Sequence, residues 1–333
     1  MNITFFNLDN HEETFVRKHL KGHRLSFEKE VATPRVAKKY SSAQAIGLFV
    51  MSKITKDVLD QLPSLKLIIT LSTGYDHIDL EEVKKRGIRV YNVPLYGQRT
   101  VAEHTLALLF ALNRRLIPGS LRTRKFNFDF RGLEGFDLYG KTIGVIGTGN
   151  IGQNVIRFVK AFGMKVLAYD AFPSDTLAKK LGFRYVRLST LCKRSDFISL
   201  HLPLLPETKG IIGKKEFSLM KKDVQIINTS RGSLIDPVEL LHALDNGAVR
   251  GAALDVLDHE HDLWNVSKQF TSFSGDVQRL DSFVQNVSLL RHPNVIVTPH
   301  LGFYTDEAIE RILQTSIDNI SRFQKNIKTN RVV

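Results

Sequence analysis

The chain has 333 residues, of which 43% are hydrophobic and 24% charged; this excludes a disordered protein and leaves room for about two domains at roughly 150 residues each. The formal net charge of +13 invites a nucleic-acid reading, but the longest uninterrupted basic run is Lys84-Lys85-Arg86. Dispersed cations read as solvated faces, and their positive field equally serves an anionic substrate and cofactor.

Cys192 stands alone, which leaves no disulfide framework and no thiolate metal site. The longest wholly apolar run, residues 106–112, falls far short of the roughly 20 that cross a bilayer. The first residues, MNITFFNLDN, carry no cationic segment leading into an apolar core. The expectation is a cytoplasmic protein with neither a membrane nor a nucleic-acid partner.

Along the chain, residues 3–8, 45–50, 66–71 and 88–91 read as strands, and residues 56–61 and 80–86 as short helices. Such alternation favours a parallel sheet with helices on its faces. Thr100-Val101-Ala102-Glu103 has the form of a capping box, so a helix is expected to start there and run through Arg115. Its apolar residues occupy more than one face, which suits a hinge, a subunit contact or a core helix of one domain. Residues 119–140 are less regular and set Arg122, Arg124, Lys125 and Arg131 among Phe126, Phe128 and Phe130.

The stretch TIGVIGTGNIGQNVIRFVKAFGMKVLAYD, residues 142–170, organises the rest. A β-branched strand turns through Gly147, Gly149, Asn150, Ile151 and Gly152 into a helical pattern, giving G-x-G-x-x-G on a strand-to-helix turn. One glycine permits the tight turn, one lets backbone approach a pyrophosphate, and one lets the helix pack against the strand. The helix N-terminus offers unpaired N–H groups to the phosphates. Gly163 ends the helix, and a second strand, residues 165–169, leads to Asp170, placed to bond an adenosine ribose 2′-OH. No Arg follows Asp170 to receive a 2′-phosphate, so the cofactor read is NAD.

Further strands are expected at 196–200, 224–228, 252–257 and 294–297, with helices at 214–220, 236–246 and from Thr305 to about Asn326. Residues 261–291 read as a structureless stretch, a flap or functional insertion.

Polar groups cluster after the later strands, where open parallel sheets bind ligands. Arg231, in Asn228-Thr229-Ser230-Arg231-Gly232, could clamp a carboxylate with two parallel hydrogen bonds, or could be a surface residue paired with Asp236. A dehydrogenase needs a group that gives a proton to the carbonyl oxygen and recovers it in reverse, and histidine suits both directions near neutrality. His300 with Glu260 is such a pair, while His201 also ends a strand. Asp258-His259-Glu260-His261-Asp262 has the ligand types of a divalent-metal site, but adjacent ligands on one loop rarely converge, so no metal is assigned.

With these pieces in place the chain resembles the D-isomer-specific 2-hydroxyacid dehydrogenases, most of all their D-lactate dehydrogenase branch. The matching motifs are STGYDHIDL (72–80), NVPLYGQRTVAEH (92–104), GTGNIG (147–152), HLPLLPET (201–208), INTSRG (227–232), AALDV (252–256) and TPHLGFYT (298–305). The resemblance implies an α/β fold of two Rossmann-like or flavodoxin-like parallel-sheet domains with a cleft between them. Residues 1–99 and 301–333 would form the substrate domain, and residues 100–300 the NAD-binding domain.

By the same resemblance Arg231 holds the substrate carboxylate, His300 is the acid/base and Glu260 sustains its proton, while Thr73, Gly74 and Tyr96 line the substrate. Asn150, Ile151, Asp170, Leu202, Pro203, Thr208, Thr229, Ser230, Arg231 and Asp255 would contact the dinucleotide. A homodimer through the helix beginning at Val101 is implied as well. The chain departs from the family in a longer stretch between Glu260 and His300 and in the histidines flanking Glu260. The expected reaction is pyruvate plus NADH to D-lactate plus NAD. Alternatives are a hydroxypyruvate or glyoxylate reductase, or a non-enzymatic NAD-sensing corepressor.

Overall fold

A computed structural model describes residues 1–260, 263 and 277–333. It divides into two compact units, Met1–Tyr96 with Tyr304–Val333, and Gly97–Phe303.

The first unit runs β1 (Asn2–Phe6), α1 (Asn10–His19), β2 (Arg24–Glu28), α2 (Pro34–Ala37), β3 (Ala45–Leu48), α3 (Lys56–Asp60), β4 (Leu67–Thr70), α4 (Leu80–Lys85) and β5 (Arg89–Tyr91). Its five strands pair in parallel in the order β2-β1-β3-β4-β5. Strands β3 and β4 are buried along their whole length, which is why they read as continuous apolar runs rather than alternating ones. Three elements here, α1, β2 and α2, go beyond the sequence reading. NHEETFVRKH has only Phe15 and Val16 as large apolar residues, too few to show a period; α1 is set instead by a capping box. Asp9 accepts from the Glu12 amide at 2.8 Å, and the Glu12 carboxylate accepts from the Asp9 amide at 2.8 Å. Strand β2 then pairs beside β1.

The second unit runs α5 (Gln98–Asn113), α6 (Leu116–Thr123), β6 (Thr142–Ile146), α7 (Asn150–Ala161), β7 (Lys165–Tyr169), α8 (Asp175–Leu181), β8 (Arg184–Tyr185), α9 (Leu188–Arg194) and β9 (Phe197–Leu200). It continues with α10 (Lys214–Leu219), β10 (Val224–Asn228), α11 (Pro237–Asp245), β11 (Val249–Leu254), α12 (Val277–Arg291) and β12 (Val295–Val297). Seven parallel strands follow the order β12-β11-β10-β9-β6-β7-β8. The period of two along each strand divides the core into two layers. Ile198, Ile226 and Leu254 face one cluster, with Leu191, Leu240 and Leu244; Phe197, Ile227 and Ala253 face another, with Leu108, Leu112, Val155 and Val159. At about 1.5–3 kcal/mol per buried aliphatic side chain, these two layers are the main force holding the helices against the two faces of the sheet. The last helix, α13 (Asp306–Gln324), belongs to the first unit and packs on α1 and β4.

Two expectations are corrected. Helix α5 starts at Gln98 with Gly97 as its N-cap, so Thr100 already lies inside the first turn and no capping box forms at 100–103. The chain commits earlier because the Val101 amide finds the Gly97 carbonyl at 3.0 Å. Helix α5 packs on α7, β10 and β11, as a core helix of its own unit does.

The stretch 261–291 is not structureless throughout, since Val277–Arg291 form helix α12. Phe283, Asn286 and Leu289, three residues apart, are buried and hold it. Serine, asparagine and glutamine between the apolar positions hid that period. Residues 261, 262 and 264–276 lie outside the described part of the chain.

Candidate active site

The sheet order of the second unit reverses direction between β9 and β6, and in such sheets the crevice outside the carboxyl ends at that point receives the ligand. The glycine turn sits there. Gly147 follows β6 with φ 96°, and a Cβ on it would run into the His201 carbonyl at the end of β9. A Cβ on Gly152 would run into the Gly147 carbonyl, whereas one on Gly149 would stand in open space. The turn is therefore closed toward the protein and open at Gly149, the N-cap of α7, where Asn150 and Ile151 begin the helix. This is the shape a pyrophosphate needs, with free helical N–H groups facing it.

Asp170 ends β7 and is held in place. Its Oδ2 accepts from the Thr148 amide at 2.6 Å and hydroxyl at 2.8 Å, and Oδ1 from the Phe172 amide at 2.9 Å. Leu202, Pro203 and Thr208 lie on the loop after β9, which the Thr208 hydroxyl closes by donating to the Pro203 carbonyl at 2.7 Å. On that strand's end His201 has Nε2 2.8 Å from Ser199 Oγ. Burial pushes its pKa down to about 3, so it stays neutral near pH 7 and is no proton shuttle.

The histidine–carboxylate pair expected from the sequence lies at the other end of the edge. His300 follows β12 with Nδ1 2.5 Å from Glu260 Oε1, so Nε2 is the nitrogen left for a substrate. His300 adopts φ 54°, a left-handed conformation that costs a histidine of order 1 kcal/mol and persists only where neighbours enforce it. The enforcement comes from Asp255, at the end of β11. Its Oδ1 accepts from the Thr298 hydroxyl at 2.5 Å and the Leu301 amide at 3.0 Å, and its Oδ2 from the Gly302 amide at 2.8 Å. The His104 ring on α5 stands 3.2 Å from the same carboxylate. Burial opposes the charge on Asp255, but the bonds from His104 and Thr298 outweigh it and hold the carboxyl below the usual range.

Arg231 follows β10. The loop is shaped by Asn228, whose side chain accepts from the Ser230 amide at 3.0 Å and donates to the Arg231 carbonyl at 2.8 Å. Ser230 donates to the Leu200 carbonyl at 2.8 Å, and Thr229 meets Thr105 at 2.9 Å. A Cβ on Gly232 would overlap Leu257 and Asp258 backbone, so this loop lies directly on the segment leading to Glu260. Asp236, the possible partner of Arg231, caps α11 instead, accepting from the Val238 and Glu239 amides. Arg231, Asp255 and His300 thus follow three neighbouring strands, β10, β11 and β12, at one edge.

Thr73 and Gly74 follow β4 in the first unit, the Thr73 hydroxyl donating to the Val93 carbonyl at 2.9 Å, and Tyr96 follows β5. Among the described residues no three His, Cys, Asp or Glu side chains could hold a metal; of the 258–262 run, His261 and Asp262 are outside them. Asp258 accepts from Ser233 at 2.6 Å. Burial, with the nearby charge of Glu216, pushes the Cys192 thiol up to about 12, so it stays protonated. No helix among the described residues is long and apolar enough to cross a membrane.

Three supporting residues escaped the sequence reading: His104, Thr298 and Asn286, the last donating from α12 to the Asp258 carbonyl at 2.6 Å. His104 and Thr298 are 194 positions apart, and no local pattern connects them.

The family model for the D-isomer specific 2-hydroxyacid dehydrogenase NAD binding domain matches residues 106–302. D-lactate dehydrogenase of Escherichia coli is 40% identical over 306 residues, 91% of this chain and 90% of that protein. A 2-hydroxyacid dehydrogenase homolog of Schizosaccharomyces pombe is 37% identical over 329 residues, 97% of this chain and 96% of that one. The crystal structure of D-lactate dehydrogenase from Aquifex aeolicus, complexed with NAD and lactic acid, superposes with a TM-score of 0.86 at 37% identity, covering 99% of this chain and 97% of that one. A glycine turn open only at Gly149, an acid at the end of β7 and a histidine–carboxylate pair at the same edge agree with these matches. The chain belongs to the D-isomer-specific 2-hydroxyacid dehydrogenases and is an NAD-dependent oxidoreductase acting on the CH–OH group of 2-hydroxy acids.

Proposed function

We propose that the chain reduces pyruvate to D-lactate. The observation that carries the chemistry is the 2.5 Å contact between His300 Nδ1 and Glu260 Oε1 at the carboxyl edge of the sheet that bears the nucleotide turn. The reduced nicotinamide, when bound, supplies the hydride to the keto carbon. Arg231 pairs its guanidinium with the substrate carboxylate, a bidentate geometry that Lys could not reproduce. His300 gives its Nε2 proton to the carbonyl oxygen, and Glu260 offsets the imidazolium charge and fixes which nitrogen faces the substrate. Thr73, Gly74 and Tyr96 are assigned to the other side of the substrate carboxylate. The dinucleotide contacts are assigned to Gly147, Gly149, Asn150, Ile151, Gly152, Asp170, Leu202, Pro203, Thr208, Thr229, Ser230, Arg231 and Asp255.

Steady-state oxidation of NADH and NADPH over pyruvate, hydroxypyruvate, glyoxylate and branched 2-keto acids checks this. Pyruvate with NADH should have the highest kcat/KM. A higher value for hydroxypyruvate or glyoxylate would move the assignment to a reductase of those acids, and slow turnover of every acid would favour an NAD sensor.

A homodimer and a cytoplasmic location complete the reading. Leu116 and Leu121 on α6 are exposed, and Phe126, Phe128 and Phe130 beyond it are 91%, 77% and 80% exposed. Such a patch favours a second copy of the chain. Sedimentation equilibrium should give twice the chain mass, and Phe128→Asp with Phe130→Asp should shift it toward the monomer. A single buried thiol suits a reducing compartment.

A further inference from the structure

A groove of about 830 Å3 opens on the edge of the second sheet opposite the nucleotide turn. Thr142, Lys165 and Arg184, which line it, begin the parallel strands β6, β7 and β8, whereas the glycine turn follows the end of β6. At about 3.3 Å per residue, a five-residue strand separates the two edges by roughly 16 Å. The groove is not part of the site described above.

Its walls are cationic. Lys160, Lys165, Arg184, Lys193, Arg194 and Lys221 line it, and no carboxylate does. Asp196, which bonds two of the lining residues, is already engaged by the Thr142 amide at 2.8 Å and by Lys221 at 2.9 Å. Lys160 donates to the Gly182 carbonyl.

The ends of α7 and α9 account for Lys160, Lys193 and Arg194, since a cation in the last turn gains about 0.3–1 kcal/mol from the helix dipole. Lys165 and Arg184 stand on strands and have no such reason. Among the described residues no ion pair joins Lys165, Arg184, Lys193 or Arg194 to a carboxylate. Crowded like charges raise the local potential, and an anion relieves it.

The floor is apolar. Met164 and Val166 are buried beneath it, and Leu167 and Phe183 are half-buried at its surface. The volume falls in the range of roughly 300–1,000 Å3 typical of small-molecule pockets. A cationic wall above an apolar, partly aromatic floor suits a ligand that is polyanionic at one end and flat and apolar at the other. We infer that this groove is a second binding site, for a nucleoside polyphosphate, separate from the NAD site.

The test is calorimetric titration of ATP and of inorganic tripolyphosphate into the full chain held saturated with NADH, at about 0.1 M salt so that remote charges are screened. ATP should give a saturable one-site isotherm, several-fold tighter than tripolyphosphate. The triple variant K165E/R184E/R194E should weaken ATP at least tenfold with NADH turnover unchanged. The charge-matched variant K18E/K66E/K325E, placed on the other unit, should bind ATP as the parent does. The inference is overturned by a non-saturating isotherm, by equal losses in both triple variants, by ATP and NADH displacing one another, or by tripolyphosphate binding as tightly as ATP.

Discussion

His300→Ala should lower kcat for 2-keto acid reduction by roughly 10²–10⁴-fold, the usual contribution of one positioned proton donor, with NADH affinity unchanged. The physical basis is the division of labour on the ring. Nδ1 is taken by Glu260 at 2.5 Å, so Nε2 alone can hand over the proton. The side chain is only 22% exposed, which leaves water little access to replace it. Glu260→Gln keeps a hydrogen-bonding group at that place while removing its charge, so its loss should be smaller. Turnover within threefold of the parent, at normal NADH binding, would remove His300 from the chemistry.

Asp255→Asn should destabilise the second unit by about 2–4 kcal/mol at pH 7, and should lower kcat as well. The Asp255 carboxylate accepts from the Thr298 hydroxyl and the Leu301 and Gly302 amides, with His104 beside it. An amide of the same shape has one acceptor oxygen and sets an NH2 group against backbone donors. The loop carrying His300 at φ 54° then loses the bonds that hold it.

The pH sense follows from the depressed pKa of Asp255 in the folded state. Its ionised form contributes stability above the unfolded value of about 3.9, and that contribution is lost as pH falls through the lower folded value. Urea midpoints of parent and variant should therefore differ at pH 7 and draw together as pH falls below the unfolded value of about 3.9. Equal midpoints at pH 7 would show that Asp255 does not hold the loop.

Much of this could be read along the chain because the relevant physics is local. The strand, glycine turn, helix and acid of residues 142–170 lie within one βαβ unit, and Gly147 and Gly152 are demanded by backbone near them. Continuous apolar runs such as Ala45–Leu48 announced strands buried on both faces. Where local cues were thin or misleading the reading failed. Thr100 and Glu103 form a capping box on paper, but Gly97 had already started the helix. Helix α12 was missed because polar residues interrupt its buried positions.

The residue order alone therefore established a two-domain α/β chain, a dinucleotide turn and a short set of candidate acids, bases and cations, since these depend on neighbours a few positions apart. Tertiary structure decided which candidates meet. It placed His300 on Glu260 across 40 positions and Asp255 on the Thr298 hydroxyl across 43, and it withdrew His201 by burying it. The reason is that parallel strands deliver their carboxyl ends to one edge whatever their separation along the chain. Hydrogen bonds and desolvation at that edge, which no spacing rule records, then choose the charge and aim of each side chain.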